Sequence, residues 1–93
     1  MTNFERLVEF LMAANDNNTK VVMDYTLNSG NVTFSAEIVP DIMVVDDWMD
    51  IYDKEMGSAL HAAVKVESDV EYNEDDGEFY IEVEDGALVI AEP

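Results

Sequence analysis

The sequence predicts an α+β fold, with two helices packed on an antiparallel sheet in the order α-β-β-α-β-β-β. Three observations predict it. Apolar residues recur at helical spacing from Phe4 to Met12. They alternate at strand spacing over 20–39 and again from Val64 onward. Between these lies a second stretch, 46–63, in which Trp48, Ile51, Tyr52, Ala59, Leu60 and Ala63 fit one inner helical face. Ninety-three residues is the size of one domain, so 1–93 reads as a single acidic α+β unit.

The first helix has a local start signal. Thr2-Asn3-Phe4-Glu5 is a capping box, in which the Thr2 hydroxyl accepts from the Glu5 amide and Glu5 reaches back. Phe4, Leu7, Val8, Leu11 and Met12 then form one apolar stripe, and the polar run at 15–18 ends it. Val21, Met23, Tyr25 and Leu27 share one strand face, and Val32, Phe34, Ala36 and Ile38 share the next. The turn residues at 28–31 join them into a hairpin that Pro40 ends. Residues 41–45 (DIMVV) fit either a strand or the approach to a helix. From Asp46 a helix is expected, with Asp46 or Asp47 as its cap and Gly57-Ser58 as a point of kinking. Val64, Val66, Ser68, Val70 and Tyr72 alternate as one strand, and 73–77 (NEDDG) is a turn. Phe79, Ile81 and Val83 point inward on the following strand. Asp85-Gly86 makes a tight turn into a last apolar strand, 87–91.

Charge is the informative feature. Twenty-two acids against four bases leave a net charge of −18. The imbalance is uneven: residues 1–40 carry −3 and residues 41–93 carry −15. Nine aromatics and many β-branched residues argue for a folded chain rather than an acidic disordered tail. Nucleic acid and anionic membrane are poor direct partners for such a surface, whereas a basic protein or a cation suits it. With no cysteine there is no disulfide and no thiolate nucleophile or zinc ligand. No apolar run reaches transmembrane length, and the N-terminus lacks the basic and small-residue features of a signal peptide. The protein is therefore expected in the cytoplasm.

Catalysis finds little support in these residues. His61, the only histidine, lies in an Ala-Leu-His-Ala-Ala run with no third member of a triad in view, and the glycines are isolated. No catalytic residue, metal or cofactor is assigned. Calcium is tested directly: with Gly77 at the glycine position of an EF-hand loop, Tyr72 and Val83 fall where Asp and Glu are needed. A looser cation-binding module around Glu74, Asp75, Asp76 and Glu78 remains an alternative function. An acidic protein–protein adaptor, anchored by Tyr72 or Tyr80, is another. A solvated acidic face with no specific role, as halophilic adaptation produces, predicts acids spread evenly, and the −3 half departs from that.

The acids are arranged in rows. Ten of the 21 residues at 66–86 are Asp or Glu, with no Lys or Arg among them. Glu67, Asp69 and Glu71 fall on one strand face, about 6.5–7 Å apart. Glu78, Glu82 and Glu84 fall on the partner strand, and Glu74, Asp75 and Asp76 on the turn between. On the expected second helix, Asp46, Asp50 and Asp53 form one ridge, with Asp47 beside it. DNA phosphates advance about 3.4 Å along the axis per strand, and roughly 6–7 Å once the lateral step is included. Rows of carboxylates at that spacing copy a phosphate backbone, and an intervening cation would neutralise the copy.

In size, α+β pattern, absence of cysteine and the acid rows at 46–53 and 67–85, the chain resembles the small acidic DNA-mimic proteins that phages make against host DNA-binding proteins. The resemblance implies an anti-restriction or related inhibitor with no catalytic residues. Its partner would be a restriction nuclease or a histone-like nucleoid protein, met in the host cytoplasm. It also implies a homodimer. The residues point the same way, because a short helix and a half-covered sheet leave apolar surface to bury, and the low-charge half 1–40 is the natural interface.

Overall fold

The computed structural model describes residues 2–28, 32–66, 69–83 and 86–92, with backbone alone at 32 and 58–60. Among the described residues, one helix, α1 (Asn3–Asp16), is followed by eight strands. These are β1 (Val21–Leu27), β2 (Val32–Ile38), β3 (Pro40–Val45), β4 (Trp48–Asp53), β5 (Gly57–Lys65), β6 (Val70–Asn73), β7 (Glu78–Val83) and β8 (Gly86–Ala91). A five-stranded sheet has the order β2-β1-β8-β7-β6, and a three-stranded sheet the order β3-β4-β5. Every pairing is antiparallel.

The expected α+β architecture is thus corrected to a mostly β fold with a single helix. The second helix expected from Asp46 is instead β4 and β5. Period two decides the matter: Met49, Ile51 and Asp53 point inward on β4, while Trp48, Asp50 and Tyr52 point outward. Asp46 and Asp47 form the two-residue hairpin loop that brings Val45 opposite Trp48. Asp46 takes a left-handed φ of 53°, a conformation that Asp tolerates better than most residues. The alternative left open at 41–45 falls to a strand, β3. The single strand expected over 64–72 is also corrected, since Val64 belongs to β5, which ends at Lys65, and Val70 opens β6 in the other sheet. Gly57, expected as a helix kink, starts β5 with a φ of 61°. The turn expected at Asp85-Gly86 lies partly outside the described residues; Gly86 itself belongs to β8.

The helix starts as its sequence predicts. Thr2 Oγ1 accepts from the Glu5 amide at 3.1 Å, and Glu5 Oε1 accepts from the Thr2 amide at 3.0 Å. At the other end Asn18 takes a left-handed φ of 54°. The Thr19 amide donates to Ala14 O at 2.8 Å and the Asn18 amide to Asn15 O at 3.2 Å, a Schellman-type stop. Two asparagine amides tie the helix to both sheets: Asn3 Nδ2 donates to Val70 O and Asn15 Nδ2 to Pro40 O. Leu7, Leu11 and Ala14 bury one stripe of α1 in the core. They meet Ile38, Phe79, Ile81, Leu88 and Ile90 of the five-stranded sheet and Met49, Ile51 and Val64 of the three-stranded one.

The capping box has a pH signature. Hydrogen bonds from Thr2 hold the Glu5 carboxyl below its ordinary value. A carboxylate lowered on folding stabilises above its unfolded pKa, and that stabilisation is lost as pH falls through the folded value. The melting-temperature gap between the parent and Glu5→Ala is therefore expected to be full at neutral pH. It should close as the solution is acidified below the glutamate range. Thermal melts of both proteins between pH 7 and pH 2 check it; a gap that persists at the acid end would contradict the assignment.

Candidate functional site

The inner face of the five-stranded sheet packs on α1 and the three-stranded sheet except at the β2 edge, where Phe34 is 58% exposed, and its outer face is open. Register places three rows across that outer face. Glu37, Val22, Ala91, Glu78 and Asn73 form the first, and Ser35, Asp24, Val89, Tyr80 and Glu71 the second. Thr33, Thr26, Ala87 and Glu82 form the third. The central strand, β8, contributes only alanine and valine here, so the acids stand on two margins. Asp24 and Glu37 lie on one side, and Glu71, Glu78 and Glu82 on the other. Among the described strand residues of this face there is no Lys or Arg.

The denser margin is built around Tyr80. Glu78 and Glu82 flank it along β7, and Glu71 lies directly across from it on β6. Diagonal cross-strand neighbours lie about 7–8 Å apart, which sets the spacing of Glu71 from Glu78 and from Glu82. All three are exposed, and Tyr80 is 40% exposed between them. Tyr72, the other tyrosine considered as an anchor, points to the inner side. Its ring packs on Phe79 at 4.6 Å between centroids, and the Arg6 guanidinium sits 5.1 Å from its centre. The nearest arginine to the acidic hairpin is therefore held on its opposite face.

The loop after β6 extends this margin. Asn73 organises it: its side-chain oxygen accepts from the Asp75 amide at 3.0 Å, and its side-chain nitrogen donates to Asp76 Oδ2 at 2.9 Å. Gly77, with a φ of 65°, closes the loop by donating to Asn73 O. Glu74, Asp75 and Asp76 are all exposed. Asp69 is exposed immediately before β6. Glu67 and Glu84 lie outside the described residues. Among the described residues, no three His, Asp or Glu side chains converge as a metal ion would require.

The other expected row dissolves. Asp46, Asp50 and Asp53 do not form a helical ridge, because β4 sends them to three different places. Asp46 and Asp47 are exposed in the β3–β4 loop. Asp50 points outward, with its Oδ1 3.8 Å from His61 Nδ1 on β5. Asp53 points inward and is 9% exposed. Its Oδ1 accepts from the Val39 amide at 3.3 Å and its Oδ2 from the Met56 amide at 3.2 Å. Asp53 is a structural carboxylate that holds the start of β3 to the β4–β5 turn, with both oxygens turned to backbone amides. Beside Asp50 on the outward face, a hydrogen bond to the Asp41 carboxylate raises the Tyr52 phenol above its ordinary value.

Sequence reasoning missed Asp24 and Glu37 as members of the acidic face. Both sit at alternate positions opposite the Val21–Met23 face, so their outward direction was legible. Their company was not, because the pairing of β1 with β8 joins distant parts of the chain. The low-charge N-terminal hairpin is thereby one flank of the acidic sheet.

No helix among the described residues is long and apolar enough to cross a membrane. Comparison with family models, curated proteins and solved structures finds no match to this chain.

Proposed function

We propose that the protein is a DNA mimic, a non-enzymatic inhibitor that occupies the DNA-binding surface of a basic partner. A restriction nuclease or a histone-like nucleoid protein has the required chemistry. One observation carries the reading: the open face of the five-stranded sheet presents five acids and, among its described strand residues, no cation. A merely solvated face gains from interspersed lysines, which relieve repulsion at no cost in hydration. Glu71 instead repels Glu78 and Glu82, each across about 7–8 Å. Each such pair costs about 0.6 kcal/mol in water before salt screening. The same spacing is close to that of successive phosphates, so lysines and arginines set to grip a DNA strand meet carboxylates at similar intervals. Asp24 and Glu37 supply a second line of charge across the β8 strip, while Glu74, Asp75 and Asp76 continue the first line around the hairpin end and Asp69 extends it at the opposite end of β6.

The test uses a histone-like nucleoid protein bound to labelled duplex DNA. The parent chain is expected to displace the DNA, with an affinity that falls steeply with salt. The triple variant Glu71→Gln, Glu78→Gln, Glu82→Gln should displace it at least tenfold less well. Its slope of log affinity against log salt should flatten by about two to three. It should also melt a few degrees higher, since relieving two repulsive pairs is worth about 1 kcal/mol. Glu9→Gln with Asp16→Gln, on the exposed side of α1, is the control and should leave displacement unchanged. A triple variant that displaces DNA as well as the parent removes this face from any phosphate mimicry.

A further inference from the structure

The three-stranded sheet carries a feature that charge mimicry does not use. Four large apolar side chains crowd the β3–β4 hairpin end: Met43 is 51% exposed, Val44 59%, Val45 54% and Trp48 46%. Met43, Val45 and Trp48 share the outward face, with Val45 directly opposite Trp48 and Met43 opposite Asp50. Acids border them: Asp46 and Asp47 in the loop, Asp50 beside Met43, and Asp41 two residues before Met43 on the same face. Lys65, opposite Trp48 on β5, is a single cation at the rim. Exposing this much apolar surface at the end of a hairpin weakens solubility unless something covers it.

We infer that the β3–β4 hairpin end is a docking site for a cationic amphipathic segment of a partner protein, one that places an aliphatic side chain against Trp48 and lysines or arginines against the surrounding aspartates. Charge complementarity selects this occupant. An acidic partner would meet four aspartates. A second copy of this chain would bring the same four aspartates, and a net charge of −18, to the contact.

Edge pairing between copies is also blunted on this strand. β3 lies at the border of its sheet, and the Pro40–Ile42 end of its free edge is occupied. Asn15 Nδ2 donates to Pro40 O at 3.0 Å, and the Ile42 amide donates to Asp41 Oδ1 at 2.9 Å. Pro40 also has no amide hydrogen to offer. A partner strand would find no continuous ladder from Pro40 to Ile42, and at the hairpin end the exposed side chains carry recognition. Indole rings bind lysine and arginine heads over their faces as well as apolar groups at their edges, which suits Trp48 to a segment of mixed character.

This site is separate from the acidic face of the other sheet, so it stands or falls independently of the mimic reading. It would supply what rows of carboxylates lack, a means of preferring one basic protein over another.

Trp48 is the only tryptophan, so the site carries its own reporter. The probes are three synthetic 14-residue helical peptides: one of lysine and leucine, one of lysine and serine with equal charge, and one of glutamate and leucine. The lysine–leucine peptide is expected to shift Trp48 emission to the blue with saturable binding. The other two should bind at least tenfold more weakly. Val45→Ser, and separately Asp46→Asn with Asp47→Asn, should each weaken the lysine–leucine peptide about tenfold. Thermal melts should show these exposed variants folded. The same variants should still displace DNA from the nucleoid protein like the parent, which separates a failure here from a failure of the mimic. Equal binding of the lysine–serine peptide would reduce the site to charge alone and overturn the inference. So would binding of the glutamate–leucine peptide, or a blue shift that depends on protein concentration without peptide, which would assign the patch to a second copy.

Discussion

Gly86→Ala is expected to remove a large share of the protein's stability. Gly86 is buried at the first position of β8, paired with Leu27 on one side and Val83 on the other. A Cβ built there would fall well inside van der Waals contact with the Thr26 carbonyl oxygen, and also crowd the Leu27 Cα. These are backbone atoms of a paired strand, so no side-chain rotation relieves the clash. β1 must move away from β8 or β8 must shift register. Overpacking of this kind costs typically 1–3 kcal/mol and more where backbone must yield. A loss of about 3 kcal/mol or more is a large share of the 5–15 kcal/mol that holds a small domain folded. The melting temperature should fall by roughly 12–24 °C. Gly77→Ala is the comparison. Its φ of 65° makes alanine strained, but nothing lies within 4 Å of the new methyl. That substitution should cost only about 1–2 kcal/mol. Urea unfolding of the two variants beside the parent checks the ranking; equal losses would mean that backbone strain, and not the β1–β8 approach, is the controlling cost.

The β1–β8 contact also joins the two margins of the acidic face. Asp24 and Glu37 reach Glu78 and Glu82 only through β8. A variant that loosens this seam is expected to lose the ordered double line of charge while keeping its composition. That makes the seam a test of geometry against bulk charge, which the acid-to-amide variants alone do not offer.

What the sequence revealed follows from how local each determinant is. The Thr2–Glu5 box and the Leu7–Leu11 stripe lie within a few turns of one another, and α1 begins where they say. The β1–β2 hairpin and the alternation of Phe79, Ile81 and Val83 are local as well. The segment at 46–63 failed because two periods fit it. Ile51 belongs to both patterns, Asp46-Asp47 suits a helix cap as well as a two-residue loop, and the alanines near His61 favour a helix on propensity alone. Tertiary pairing decides for strands: Met49 and Ile51 are fully buried when β4 lies between β3 and β5. The cost of that misreading fell on the candidate site. A helical ridge would have pointed Asp46, Asp50 and Asp53 the same way, whereas strand alternation sends Asp50 outward and Asp53 inward. The acids of β6 and β7 kept their expected face because their alternation has only one period.

Asp53 separates a structural carboxylate from a phosphate-mimicking one most sharply. Asp53→Ala is expected to destabilise the protein by about 1–3 kcal/mol, because it strips the acceptor from the buried Val39 amide and leaves the part-buried Met56 amide to solvent, and a buried unsatisfied donor costs about 1–3 kcal/mol. The melting temperature should fall by roughly 4–24 °C. Asp53→Asn keeps one acceptor oxygen and should lose about half as much. Asp50→Ala, on the outward side of the same strand, should stay within about 0.5 kcal/mol of the parent. Had Asp53 been one of a row of repelling surface acids, its removal would stabilise the fold and weaken binding. The buried position predicts the reverse on both counts: a less stable protein whose folded fraction displaces DNA as well as before. Melts, together with displacement assays run well below each melting temperature, measure the two quantities separately. An Asp53→Ala protein as stable as the parent would mean that the anchoring of Val39 and Met56 contributes nothing, and would return Asp53 to the surface row.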